Sequence, residues 1–138
     1  MASVTRPATV AQLMTANPIV IQADASLSEA AELMDVDRVS GLPVCDRSGR
    51  LVGVLSQTDV VRASTRGGLR DAWPRLTARH LMTRPPITVG PAVPLLEAAR
   101  QMQHAGVHRL VVVAYDSEAP MGVLSMSDLV RWMTCEPN

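Results

Sequence analysis

Aromatic side chains and excess charge are what this sequence has least of. Only 2% of its 138 residues are aromatic and none is phenylalanine, so the core must be built from aliphatic residues and methionine. The 13 basic residues balance 13 acidic ones, which argues against the strongly positive face of a nucleic-acid module. The shortage of aromatic residues also removes the platforms on which single-stranded bases stack. We therefore expect no nucleic-acid partner.

Long apolar runs are also missing. No run approaches the roughly 18 residues that a membrane span needs, and the N-terminus lacks a basic start followed by a hydrophobic block. We expect no membrane association and a cytoplasmic location.

Metal-ligating residues are few. Cys45 and Cys135 are too far apart for a CxxC site or a disulfide framework. His104 and His108 have i,i+4 spacing, but Gly106 between them predicts the end of that helix. We expect no metal site.

An internal repeat is the most informative feature that is present. At an offset of 68 positions, Leu13-Met14-Thr15 aligns with Leu81-Met82-Thr83. The match continues, with one residue inserted in the second copy, to Gly-Val-Leu-Ser-x-x-Asp, which occurs at 53–59 and again at 122–128. The predicted organisation is a loose lead-in over 1–8, a first repeat over 9–64, a linker over 65–76 and a second repeat over 77–134. The linker has no period and carries two adjacent glycines, and Trp73 is expected to hold it to the surface.

Each copy follows the pattern strand, helix, strand, strand, helix. In the first copy, a β-branched run at 19–21 precedes the capping box Ser26-x-x-Glu29 and a helix that is apolar on one side. Two apolar runs then flank a polar turn at 46–50, as in a hairpin. The second copy predicts a strand at 87–89, a helix at 94–105 and strands at 110–113 and 121–124. The predicted class is α/β (α+β).

The repeated Ser-x-x-Asp corner supports two interpretations. It is a capping box, in which serine and aspartate satisfy backbone N–H groups of their own helix. The same geometry also suits a nucleotide, because the helix N-terminus favours phosphate and an ionised aspartate accepts two hydrogen bonds from a ribose diol. The local pattern fits both.

Both copies resemble CBS domains, named after cystathionine β-synthase, which normally occur as tandem pairs called Bateman modules. The matching motifs are Leu-Met-Thr before a short strand, Gly-Leu-Pro-Val-Cys-Asp at 41–46, and the Gly-Val-Leu-Ser-x-[Ser/Thr]-Asp ending. Residues 107–113 and 122–128 are especially similar to the last repeat of the nucleotide-sensing γ subunit of AMP-activated protein kinase. The resemblance implies two β-α-β-β-α repeats related by a pseudo-twofold axis, with two clefts that bind adenosine derivatives and draw on both repeats.

The resemblance also implies which residues form each cleft. The second cleft would contain Thr9, Met14, Val39, His108, Arg109, Val123, Ser125, Ser127 and Asp128. The first cleft would contain Thr77, Met82, Val107, Ser40, Val54, Ser56, Thr58 and Asp59. In each set the aspartate would bind ribose and the valines and methionine would contact adenine.

The two clefts differ in charge. Where the second copy has His108-Arg109, the first has Ser40-Gly41, so the Asp59 cleft lacks a cation aimed at phosphate. We therefore expect the Asp128 cleft to bind a phosphorylated adenosine ligand more tightly.

No nucleophile with a neighbouring base can be assembled from the spacing, so we expect a regulatory protein and no enzyme. The expected ligand is an adenine nucleotide, AMP, ADP or ATP, ahead of S-adenosylmethionine or NAD, as in energy sensing. The expected partners are a second copy of the chain and an unidentified protein target. The alternative is a ligand-free dimerisation or scaffold module in which the corners are only caps.

Overall fold

The computed structural model of the chain describes residues 7–134. Residues 1–6 of the predicted lead-in and Cys135 therefore lie outside the described residues. The elements follow in the order α1 (Val10–Leu13), β1 (Thr15–Ala16), β2 (Ile21–Gln22), α2 (Leu27–Val36), β3 (Gly41–Cys45), β4 (Leu51–Ser56), α3 (Gln57–Thr65), α4 (Gly67–Ala72), α5 (Ala78–Leu81), β5 (Thr88–Val89), α6 (Leu95–Ala105), β6 (Arg109–Val113), β7 (Pro120–Ser125) and α7 (Met126–Thr134).

The chain divides into two compact units whose boundaries differ from those of the sequence repeats. One unit comprises residues 19–86 and contains Asp59; the other comprises 7–18 with 87–134 and contains Asp128. We call them the Asp59 unit and the Asp128 unit. Each unit holds one repeated β-α-β-β-α pattern, so the predicted fold class is confirmed, and each also takes a short segment from the other repeat.

In the Asp59 unit, a three-stranded sheet has the order β2-β3-β4, with β2 parallel to β3 and β3 antiparallel to β4. Helix α2 begins as the capping box predicts, because the Ser26 hydroxyl accepts a hydrogen bond from the Glu29 N–H at 3.1 Å. Its Leu27 and Ala30 are fully buried and pack with β3 and β4 in one aliphatic core. The predicted hairpin turn between these strands is also present.

In the Asp128 unit, a four-stranded sheet has the order β1-β7-β6-β5. Helix α6 buries Leu95, Ala98 and Met102 against β6 and β7. It ends at Gly106, whose φ of 68° is a left-handed conformation that glycine adopts without strain. The predicted helix end between His104 and His108 is therefore confirmed.

The structure corrects two details of the predicted strands. The β-branched runs at 19–21 and 87–89 form strands of only two residues, β2 and β5, and Ile19 and Val20 lie outside β2. The sequence also gave no sign of β1, which pairs antiparallel with β7. Two-residue strands have little local signal, because their pairing depends on a partner that is distant in the chain.

The predicted linker is largely helical. Helix α4 and a 3-10 turn at Trp73–Arg75 occupy most of residues 65–76, although the stretch shows no periodic apolar pattern. Trp73 donates a hydrogen bond from Nε1 to the Ser28 hydroxyl at 3.1 Å and packs against the core of the Asp59 unit. The expected anchoring role of Trp73 is confirmed. Within residues 7–134, no helix is long and apolar enough to span a membrane.

Candidate functional site

In the Asp59 unit, the Leu-Met-Thr segment of the second repeat pairs with the strand that leads into the corner of the first. The Val54 N–H donates to the Thr83 carbonyl at 3.0 Å, and the Thr83 N–H donates to the Val54 carbonyl at 2.8 Å. Met82 crosses the strand at Gly53, where an added Cβ would lie 2.6 Å from the Met82 sulfur. The missing side chain of Gly53 permits this close approach. The predicted residues Met82 and Val54 are thus brought together.

The Asp128 unit repeats this arrangement with the first repeat's segment. Thr15 pairs with Val123 and Ala16 with Gly122, and a Cβ on Gly122 would meet the Met14 side chain and lie 3.0 Å from the Thr15 carbonyl oxygen. In both units, therefore, a methionine from one repeat lies across the corner strand of the other.

The Asp59 corner is a complete capping box. Asp59 Oδ2 accepts hydrogen bonds from the Ser56 N–H at 2.8 Å and the Ser56 hydroxyl at 2.9 Å, while the Ser56 hydroxyl accepts from the Asp59 N–H at 3.2 Å. The other oxygen, Oδ1, faces the Arg62 guanidinium at 3.7 Å. The Asp59 residue is only 7% exposed, whereas half of the Arg62 side chain is exposed.

The Asp128 corner has the same design. Asp128 Oδ2 accepts from the Ser125 N–H at 2.9 Å, and the Ser125 hydroxyl accepts from the Asp128 N–H at 3.1 Å. Asp128 Oδ1 pairs with Arg131, whose side chain is 75% exposed. The capping interpretation of Ser-x-x-Asp is confirmed at both corners.

Capping uses only one of the two oxygen atoms of each carboxylate. Oδ2 holds the helix start, and Oδ1 is paired with an exposed arginine three residues further along the helix. In each pair the arginine is exposed and the carboxylate is largely buried. Because the cap uses only Oδ2, Oδ1 can accept a hydrogen bond from a ligand hydroxyl without breaking the cap.

The start of the neighbouring strand lies beside each corner. In the Asp128 unit, Arg109 pairs with Ser125, and the Met126 N–H donates to the His108 carbonyl at 2.8 Å. In the Asp59 unit, Gly41 pairs with Ser56, and the Gln57 N–H donates to the Ser40 carbonyl at 2.9 Å. His108-Arg109 and Ser40-Gly41 thus occupy equivalent places, as their alignment predicts.

The remaining predicted residues are distributed as follows. Thr58 and Ser127 are exposed in the first turns of α3 and α7. Thr9 bridges to Pro94 before α6, and Thr77 bridges to Ser26 before α2, so each lies at the start of its unit's long helix.

Two valines belong to a different unit from the rest of their predicted set. Val39 lies in the Asp59 unit although it was assigned to the Asp128 cleft, and Val107 lies in the Asp128 unit although it was assigned to the Asp59 cleft. Their contribution to those sites stays a prediction.

A cavity of about 610 Å³ lies in the Asp59 unit, beside the Asp59 corner. Its volume is within the range of about 300–1,000 Å³ that is usual for small-molecule sites. The lining includes Ser40, which was predicted for the Asp59 cleft, and Val39, which was predicted for the Asp128 cleft, together with Met34, Asp35, Val36, Arg38 and Gln57.

Sequence reasoning missed the arginines and glycines of these sites. Arg62 and Arg131 follow their aspartates at i+3, a spacing that places the two side chains together on a helix. Gly53 and Gly122 lie inside strands, where glycine is a signal of close backbone approach. Both signals were present in the sequence.

The described residues hold no metal cluster. Within 7–134, no group of three or more His, Cys, Asp or Glu side chains is arranged to bind a metal ion. Cys45 is buried, and burial, together with the nearby Asp46 carboxylate, raises the pKa of its thiol. Cys45 is therefore a core residue with little thiolate character.

Known proteins share this architecture. The structure of CBSX2 in complex with AMP is 31% identical, with a TM-score of 0.78, and covers 91% of this chain and 95% of that one. CBSX2 is a CBS-pair protein from Arabidopsis thaliana. The CBS domain pair of protein MJ0100, in complex with 5′-methylthioadenosine and S-adenosyl-L-methionine, is 26% identical, with a TM-score of 0.80 and coverage of 92% and 97%.

Curated relatives are longer proteins. A homoserine O-acetyltransferase of Methanocorpusculum labreanum is 35% identical over 89% of this chain and 24% of its own length. An inosine-5′-monophosphate dehydrogenase of Nitrosopumilus maritimus is 28% identical over 86% of this chain and 23% of its own length. The chain spans about a quarter of the length of these relatives, so the match does not transfer their activities.

The family model for the CBS domain matches the chain twice, at residues 10–66 and 78–134. The matched residues make up most of the chain and include both capped corners and both methionine crossings. The chain therefore belongs to the CBS domain family, as a tandem pair.

Proposed function

We propose that the chain is a non-catalytic regulatory CBS pair that binds an adenine nucleotide and signals its occupancy to a partner protein in the cytoplasm. The proposal is carried by an arrangement that occurs in both units, in which a methionine lies across the strand that leads into a capped Ser-x-x-Asp corner. We call this arrangement a junction. Each junction combines residues of both sequence repeats within one unit. A ligand held at such a junction can regulate a partner only if it prefers one arrangement of the protein over another.

The chemistry of the corner suits a nucleoside. In the Asp128 unit, the Oδ1 of Asp128 would accept from the ribose hydroxyls, and Met14 and Val123 would contact the apolar face of adenine. Ser125 and Ser127 would donate to ribose or phosphate. Arg109, next to Ser125, supplies positive charge where phosphate would lie.

The solved relatives support the ligand class. CBSX2 was solved with AMP, and the MJ0100 pair with 5′-methylthioadenosine and S-adenosyl-L-methionine, all of which contain adenosine. Because Arg109 supplies a cationic side chain and His108 an imidazole at the Asp128 corner, we propose AMP, ADP or ATP ahead of S-adenosylmethionine or NAD, and an energy-sensing role.

Isothermal titration with AMP tests the proposal and the predicted difference between sites. Asp128→Asn and Asp59→Asn are suitable variants, because the amide oxygen still accepts from the serine N–H and the cap survives. We expect Asp128→Asn to abolish the tighter binding event and Asp59→Asn to affect only the weaker one. Asp24→Asn, at an exposed aspartate away from both corners, is the control and should change neither.

Two outcomes contradict the proposal at different points. Equal losses from both variants would refute the difference between the sites. A saturating ligand at a hundredfold excess over its Kd adds about 2.7 kcal/mol to the free energy of unfolding. No thermal shift with AMP, ADP, ATP, NAD or S-adenosylmethionine would refute nucleotide binding.

The second candidate is a ligand-free dimerisation or scaffold module. It is favoured by exposed apolar side chains on the helices that follow the corners. Val61 on α3 is 59% exposed, and Val130 and Met133 on α7 are 54% and 53% exposed. Such side chains suit an interface. We propose that they mediate a homodimer, which is compatible with nucleotide binding.

A further inference from the structure

Arg38 adopts a backbone conformation that does not suit its residue type. It follows α2 with φ of 53°, and its counterpart in the second repeat, after α6, is Gly106 with φ of 68°. Residues with a Cβ seldom occupy this left-handed region, and glycine does so freely. The second repeat shows that glycine satisfies this turn. An arginine held in this costly conformation is a candidate for a functional side chain.

The Arg38 side chain lines the cavity of about 610 Å³ beside the Asp59 corner. Ser40, at the position of His108, and Gln57, next to the capping Ser56, line the same cavity. Among residues 7–134, the Arg38 guanidinium forms no ion pair, so its charge is not neutralised by a bound carboxylate.

We propose that Arg38 is the phosphate-binding cation of the Asp59 site, where it takes the place of the missing His108-Arg109 pair. This inference rests on the proposed nucleotide binding. The ligand would be a phosphorylated adenosine whose ribose lies at Asp59 and whose phosphate lies in the cavity. A guanidinium suits this role because it presents several N–H donors to phosphate oxygens.

Asp35 lines the same cavity and sets the strength of the site. Its carboxylate repels a phosphate and opposes the attraction of Arg38. This opposition makes the Asp59 site the weaker of the two while leaving it selective for a phosphorylated ligand.

The test measures AMP and adenosine binding by isothermal titration in an Asp128→Asn background, which leaves the Asp59 site to be observed. Arg38→Gly removes the side chain and installs the residue that the second repeat uses. We expect AMP affinity to fall about tenfold, the value of a hydrogen bond to a charged group, while adenosine affinity stays unchanged. The melting temperature should hold or rise, because glycine relieves the left-handed strain.

Two further variants sharpen the test. Arg47→Gln removes the same charge from an exposed turn of the same unit, where the Arg47 side chain is 92% exposed, and should leave AMP affinity unchanged. Asp35→Asn should strengthen AMP binding by about fivefold, since removal of a like charge at about 4 Å in water has this effect.

The outcomes separate this inference from the function on which it rests. If Arg38→Gly leaves AMP affinity unchanged, or weakens AMP and adenosine equally, Arg38 does not bind phosphate and the inference is overturned. It is also overturned if the Asp128→Asn protein binds no AMP while the wild type does, although nucleotide binding then stands. If the wild type binds no adenine nucleotide, the proposed function itself fails.

Discussion

The methionine crossing predicts that a side chain at Gly53 destabilises the fold. In a Gly53→Ala variant, the new Cβ would lie 2.6 Å from the Met82 sulfur, 2.9 Å from Met82 Cγ and 3.0 Å from the Thr83 carbonyl oxygen. The methionine can rotate away, but the Thr83 carbonyl is fixed by its 3.0 Å hydrogen bond from the Val54 N–H. Relief of the clash therefore requires movement of backbone that is already paired.

The expected cost follows from these contacts. Overpacking costs typically 1–3 kcal/mol, and stretching the hydrogen bond to Thr83 adds part of its net value of about 1 kcal/mol. We expect the free energy of unfolding to fall by about 2 kcal/mol. At this chain length, 1 kcal/mol corresponds to about 3–4 °C in Tm, so the expected decrease is about 7 °C.

Urea unfolding followed by circular dichroism measures this change, with Gly68→Ala as the matched control. Gly68 lies in α4 and has no atom within 4 Å of an added Cβ, so alanine there should be neutral or stabilise the protein by up to about 1 kcal/mol. A Gly53→Ala variant as stable as the Gly68→Ala variant would show that Met82 does not cross β4 at Gly53. Nucleotide affinity should also fall in Gly53→Ala, because Met82 is displaced.

Two other predictions concern the surface. Val130→Asp, on α7, should convert the proposed dimer to a monomer, as measured by multi-angle light scattering. Leu96→Asp, the control, also replaces an exposed apolar side chain and should leave the dimer intact. If both variants remain dimers, the interface does not lie on α7. In the turn after β3, the hydrogen bond from the Ser48 hydroxyl, followed by the backbone N–H groups of Arg50 and Ser48, holds the pKa of Asp46 below its usual range. A carboxyl whose pKa is lower in the folded protein stabilises the fold at pH values above its unfolded-state pKa of about 4. This stabilisation is lost as the pH falls through the folded-state pKa. The Tm difference between wild type and Asp46→Asn should therefore be present at neutral pH and disappear in acid; a pH-independent difference would contradict the ionised turn.

Elements with a strong local signal could be predicted from the sequence. Helix α2 was predicted because its cap at Ser26 and its apolar spacing are encoded within one segment. The end of α6 followed from Gly106, whose missing side chain suits a left-handed residue. The capped corners were predicted for the same reason, since Ser56 and Asp59 contact each other across a single turn.

Elements that depend on distant partners could not be predicted in this way. Strand β1 exists because Thr15 pairs with Val123, and the helical form of the linker is accompanied by the contact of Trp73 with Ser28, 45 residues away. No periodicity within either segment encodes such a contact.

The sequence by itself determined the repeat, the two β-α-β-β-α patterns and the residues of the two corners, because these depend on local spacing and on the match between copies. The tertiary structure decided how the repeats are shared between units. It placed Met14 against Gly122 and Met82 against Gly53, each in a unit with the other repeat's corner. It also brought Arg38 to a cavity beside the corner that lacks His108-Arg109. The physical reason is that close approach and shared cavities depend on the packing of distant segments, which spacing along the chain does not specify.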